Sequence, residues 1–160
     1  MNYEFAVKWL KCFRESSEAV CALYDDSFSF SDPMLDQWDV NTKPDLLRLF
    51  ALYANKDRAN GIGVHNFRAR GYVGDHRSGL ILWEWSPEDC AMFIGMDAVS
   101  KPFGTQGHTH HEYNEKGLIT RESSWWDGSA VLRALKPDMP GHGPAEPGKS
   151  PFGAKQAVAA

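Results

Sequence analysis

Two stretches of this sequence bring together side chains able to move protons. The first is Ser29-Phe30-Ser31-Asp32-Pro33. A carboxylate at the mouth of an apolar cavity is partly stripped of water, which raises its pKa toward the range useful for proton transfer. Asp before Pro is also a common turn or capping residue, and Asp32 is open to that reading. The second is Gly107-His108-Thr109-His110-His111-Glu112-Tyr113, with three histidines in four residues. On a strand, side chains alternate, so His108, His110 and Glu112 share one face and Thr109, His111 and Tyr113 the other. A single bulge would exchange the two sets. A further histidine, His65, shares a strand face with Phe67 and Ala69, and that face reads as inward. Imidazole among apolar neighbours serves either as an acid or base near neutral pH or as a satisfied core group.

These groups need elements to hold them. Phe5, Trp9 and Phe13 recur every four residues, so residues 3–14 read as an amphipathic helix, with a short second helix through Ala19–Leu23. Phe28 and Phe30 alternate with serines, which gives a strand ended by Pro33. Residues 34–41, with Trp38, read as a loop. Thr42 can cap a helix with Pro44 and Asp45 in its first turn and an apolar face of Leu46, Leu49, Phe50 and Tyr53. Residues 55–63 are polar and contain glycine, a turn signal. Strands are then expected at Ile62–Val73, Gly79–Trp85, Cys90–Val99, Gly107–Asn114 and Leu118–Asp127. Helices followed by antiparallel strands imply an α+β domain with its helices on one sheet face. From about Lys136 the chain turns rich in Pro and Gly, so residues 1–136 read as the domain and 137–160 as a tail.

Composition narrows the function classes. The chain has 160 residues and a formal net charge of −4, with charges of both signs interspersed. There is no basic stripe to bind a phosphate backbone, so no nucleic-acid partner is expected. No apolar run approaches the ~20 residues of a membrane span, and the start lacks a signal peptide's pattern. Cys12, Cys21 and Cys90 form neither a disulfide framework nor a C-x-x-C, which suits a reduced, cytoplasmic protein. Aromatic residues make up 12% of the chain, six of them Trp. Tyr24, Phe28, Trp38, Tyr53, Trp83, Trp85 and Trp126 could line a pocket for a flat apolar substrate or serve as ordinary core.

Three segments in order resemble the NTF2-like superfamily, in particular its SnoaL-like, ketosteroid isomerase-like and scytalone dehydratase-like members. They are Tyr24–Pro33, similar to a "Y-x-D-D-…-D-P" run; Thr42–Tyr53, similar to the helix after it; and Asn114–Asp127, similar to a closing hairpin that ends in Trp125-Trp126-Asp127. The resemblance covers roughly residues 3–130. It implies a cone, with N-terminal helices packed on a curved antiparallel sheet around a pocket, and a homodimer. It implies that Asp32 is a general base, that His111 and Tyr113 face the pocket, and that His65 stands near a catalytic His of the dehydratase-like members. Lys8 and Trp9 stand where steroid isomerases carry an enolate-stabilising Tyr, which points away from steroid isomerisation.

The reading that follows is a lyase or isomerase without cofactor. It would use Asp32, His65, His111 and Tyr113 for dehydration, aldol or retro-aldol cleavage, or a double-bond shift on a small hydroxylated, aromatic or polycyclic substrate. Two alternatives stand beside it. One is a non-catalytic ligand-binding or dimerising module of the same fold. The other is a metal-dependent enzyme, because His108-x-His110 followed by Glu115 resembles half of a cupin motif, with His142 the only later His.

Overall fold

The computed structural model describes residues 1–54 and 62–138. Its first helix, α1 (Tyr3–Cys12), starts where the Asn2 side chain accepts a hydrogen bond from the Phe5 N–H at 3.0 Å. Ala6, Trp9, Leu10 and Phe13 fall on one stripe of it, and all four are buried. Burying a side chain of Leu or Phe size contributes roughly 1.5–3 kcal/mol, so this face holds the helix against the strands beneath it. The second helix, α2 (Ser17–Cys21), is capped by Ser16, whose hydroxyl accepts from the Ala19 N–H. The third, α3 (Lys43–Ala51), is capped by Thr42 as expected. The Lys43 ammonium donates to the carbonyls of Cys21 and Tyr24, which pins the start of α3 to the end of α2.

Six strands form one curved mixed sheet. In chain order they are β1 (Tyr24–Asp32), β2 (Gln37–Val40), β3 (Val64–Gly74), β4 (Ser78–Glu88), β7 (Thr105–Tyr113) and β8 (Ile119–Trp126). Their order across the sheet is β2-β1-β8-β7-β4-β3, with β1 and β8 parallel and every other neighbour antiparallel. The helices cover the concave face, so inward side chains of the sheet and the apolar faces of α1 and α3 make one core. This is the α+β cone expected from the sequence.

The structure differs from the sequence reading in three places. Residues 34–41 are a 3-10 turn (Pro33–Leu35) followed by the edge strand β2, with the backbone reversed at Asp36 in the left-handed region. The strand expected at Cys90–Val99 is a separate hairpin of two short strands, β5 (Met92–Phe93) and β6 (Met96–Asp97), joined by Ile94-Gly95 with φ of 48° and 72°. A fourth helix, α4 (Gly128–Leu135), follows β8 and is capped by Asp127. Its signal was in the sequence: an N-cap Asp, then Val131 and Leu135 four residues apart, both buried. The expected turn at 55–63 falls mostly, and the tail at 137–160 almost wholly, outside the described residues.

Candidate active site

Strand β1 positions Asp32. Phe28, Phe30 and Asp32 alternate with more exposed residues, so the carboxyl continues the apolar inner face of the strand. Asp32 is only 7% exposed. Its Oδ1 accepts the Met34 backbone N–H at 3.0 Å, so it does cap the 3-10 turn. Both carboxyl oxygens also lie 3.3 Å from the Trp126 indole N–H, which donates to them across the cavity wall. Burial pushes the Asp32 carboxyl up to about 6, against the opposing pull of the Trp126 and backbone donors, while the Glu122 charge adds to the rise.

Asp32 opens onto an inner cavity of about 70 Å³, walled mostly by Trp9, Phe13, Phe50, Phe67, Trp83 and Trp85. The polar groups on the wall are few: Asp32, Tyr53, Thr105, Thr109, Glu122 and Ser124, with the Trp126 indole. The Tyr53 hydroxyl has no hydrogen-bond partner among the described residues. Burial first, and then the Asp32 charge, push it well above the ordinary tyrosine range, so it remains an O–H donor.

Glu122 is the second carboxyl on the wall, and simple strand alternation hides it. The β7–β8 register slips between Glu112 and Tyr113, so that Ile119 and Glu122 both point inward. Counting by twos from Ile119 would have put Arg121, Ser123 and Trp125 inside. Glu122 is 2% exposed. Its Oε2 accepts from the Tyr24 hydroxyl and lies 2.8 Å from His111 Nε2. Its Oε1 accepts from the Ser124 hydroxyl at 3.0 Å. Ser124 in turn lies 2.8 Å from Thr109 Oγ1, which accepts the Trp83 indole N–H. A chain of donors thus runs from Trp83 through Thr109 and Ser124 to Glu122. Burial and the Glu122 charge raise the Tyr24 hydroxyl well above its ordinary range.

The outward–inward parity of β7 is the expected one. Thr109, His111 and Tyr113 are buried, whereas His108, His110 and Glu112 face away from the core. His111, however, does not reach the cavity wall. It is fully buried, between Glu122 and the Tyr113 hydroxyl, 3.3 Å from Nδ1, with the Trp9 ring edge-on at 4.7 Å. His111 therefore acts on the cavity only through Glu122, and Tyr113 only through His111.

His65 also stands off the inner wall. Its Nδ1 accepts the Trp85 indole N–H at 3.0 Å, which leaves the ring proton on Nε2, 3.1 Å from the Ile62 carbonyl. Both nitrogens are occupied, and burial pulls the ring down to about 4, so it is neutral at physiological pH. Of the aromatics expected to line a pocket, Tyr53, Trp83, Trp85 and Trp126 do. Tyr24 and Phe28 are buried in the core behind the wall. Trp38 is corrected outright. It sits on the edge strand β2, 62% exposed, with its indole on Asp36, because the turn after Pro33 carries it away from the cone. Among the described residues, no three His, Cys, Asp or Glu side chains converge as a metal would require.

No family model and no curated protein matches the chain. Solved structures do. A protein with a ketosteroid isomerase-like fold from Catenulispora acidiphila superposes with a TM-score of 0.66 at 12% identity, over 84% of this chain and 94% of that one. A candidate SnoaL-like polyketide cyclase from Jannaschia sp. CCS1 gives 0.61 at 9% identity, over 81% and 90%. An LEH-like epoxide hydrolase from Mycobacterium tuberculosis gives 0.55 at 12% identity, over 81% and 88%. At these identities the likeness is one of fold.

Proposed function

We propose that this chain, which has the NTF2-like fold, is a lyase or isomerase that needs no cofactor and moves a proton on a small hydroxylated, apolar substrate. The observation that carries this reading is Asp32: a buried carboxyl, pushed up to about 6 by burial, on the wall of a cavity lined mostly by rings. A base with a pKa near the working pH combines the right protonation state with the greatest useful proton affinity. The structural neighbours support the reading in that proteins of this fold include enzymes; the fold alone does not select a reaction.

The chemistry can be written for a β-hydroxy carbonyl head. The Asp32 carboxylate takes the proton on the carbon next to the carbonyl, and the electron pair moves onto the carbonyl oxygen, where the Tyr53 O–H can donate. When the pair returns, the β-hydroxyl leaves as water with the proton that Asp32 took, which restores the carboxylate, and a C=C bond remains. In a β,γ-unsaturated ketone, return of the proton at the γ carbon would instead move the double bond into conjugation. A retro-aldol cleavage begins with the same base taking the hydroxyl proton. Glu122 is the group through which His111 and Tyr24 reach this cavity, holding a fixed polar wall opposite the apolar rings.

The test is deuterium exchange next to the carbonyl of small methyl ketones, with loss of water from their β-hydroxy analogues, followed by NMR in D2O. The rate should climb with pH through about 6 and then level, because only the deprotonated Asp32 is a base. Asp32→Asn should lower it at least tenfold, and equal rates in both proteins would overturn the assignment. Saturable binding with no exchange at any pH would favour the ligand-binding module. His108 and His110, on the outer face, give less support to a metal-dependent reaction.

A further inference from the structure

The inner cavity is small. At about 70 Å³ it is less than half the ~150 Å³ that accommodates a benzene ring in an engineered protein cavity. A polycyclic substrate does not fit inside it, and a head of a few heavy atoms does. A second space adjoins the cavity. Leu35, Leu49, Tyr53 and Phe93 line it and also line a neighbouring groove of about 450 Å³. Leu52, Met92 and Ile94 carry that groove outward between the end of α3 and the β5–β6 turn, with Gln37 and His65 as polar side chains on its lining. Phe93 stands between the two spaces, against Trp85, Phe103 and Trp126.

The turn supplies an independent observation. Ile94 and Gly95 are the central pair of a two-residue hairpin loop, both with positive φ. Asn-Gly is the pair that this geometry favours, and a β-branched residue there is strained. Ile94 is nonetheless isoleucine, a residue 54% exposed on the groove wall. Neither backbone preference nor core packing accounts for an apolar branched side chain at that position. A ligand lying in the groove would.

We infer that the substrate is elongated, with a small oxygenated head in the inner cavity and an unbranched apolar tail in the groove, where Ile94 and Leu52 hold it. This rests on the proton-transfer reading for the head alone. The tail site stands on the groove.

The experiment is titration calorimetry of the full chain with a homologous series of alkan-2-ones, from butan-2-one to decan-2-one. Each added methylene should tighten binding roughly two- to fourfold until the groove is filled. Ile94→Asn restores the favoured turn pair, so its Tm should equal or exceed that of the wild type while the gain per methylene falls toward one. Leu52→Gln, at an exposed helix end, should lower the same slope without touching the turn. A flat series in the wild type, or an unchanged slope in both variants, would overturn the tail site. Failure of every ketone to bind would overturn it together with the cavity reading. A clear slope with no Asp32-dependent exchange supports the groove and sinks only the proposed reaction.

Discussion

Asp32 is held by the folded chain in a form that favours its proton. Burial raises its carboxyl from the ordinary aspartate value to about 6, so the folded state binds a proton that the unfolded chain has already released between about pH 4 and pH 6. Stability contributed by this group is therefore present below that window and lost as pH rises through it. A shift of this size corresponds to on the order of 3 kcal/mol at neutral pH. Asp32→Asn keeps an acceptor for the Met34 N–H and carries no charge, so it should raise Tm by roughly 6–12 °C at pH 8. The gap should close near pH 4, as thermal melts across that range would show, and a Tm that falls at every pH would mean that the carboxylate is structurally required. A residue that costs stability where it would work as a base is what a functional site produces. At this scale the sequence was most legible at Asp32, because Phe28 and Phe30 set a simple alternation that the strand obeys.

Strand pairing decides the second carboxyl. Glu122 takes donors from β1 through Tyr24, from β7 through His111, and from its own strand through Ser124. Removing it leaves three buried donors without an acceptor. Glu122→Ala should accordingly cost about 3–5 kcal/mol in urea unfolding, and Glu122→Gln, which keeps shape and one acceptor, clearly less. Equal, small losses in both would show that the network adds little to stability. His111→Ala belongs to the same unit. Because His111 is wholly enclosed by Trp9, Tyr113 and Glu122, its removal opens a hole in the core, so Asp32 gives the cleaner test of the chemistry. The inward set on β7 could be read from alternation alone. Glu122 could not, since the slip in register beside Tyr113 reverses the parity on which such counting depends.

The molecule as a whole presents a convex sheet surface opposite its helices. Arg68 pairs there with Glu84, and Arg121 lies beside Glu112, with Leu82 and Trp125 half exposed between the charges. A homodimer, which the resemblance implies, would bury such a face, and its mixed charges suit contact with a second copy. Light scattering should then give twice the chain mass. Trp125→Glu should reduce it to one, since the side chain points away from the cavity and adds a buried charge only if the face is covered. A wild type at one chain mass would remove the dimer. No helix among the described residues is long and apolar enough to cross a membrane.

Local physics was enough for the first three helices, the Thr42 cap, the α+β layering and the inward set Thr109, His111 and Tyr113, because these follow from periodicity, capping chemistry and two-residue alternation. Tertiary structure decided the rest. It put His65 between Trp85 and the Ile62 carbonyl rather than on the cavity, turned Trp38 out after Pro33, broke the Cys90–Val99 segment into a hairpin and rotated Glu122 inward. Each of these depends on which partner a side chain or strand meets across the fold, and no spacing along one chain encodes that partner.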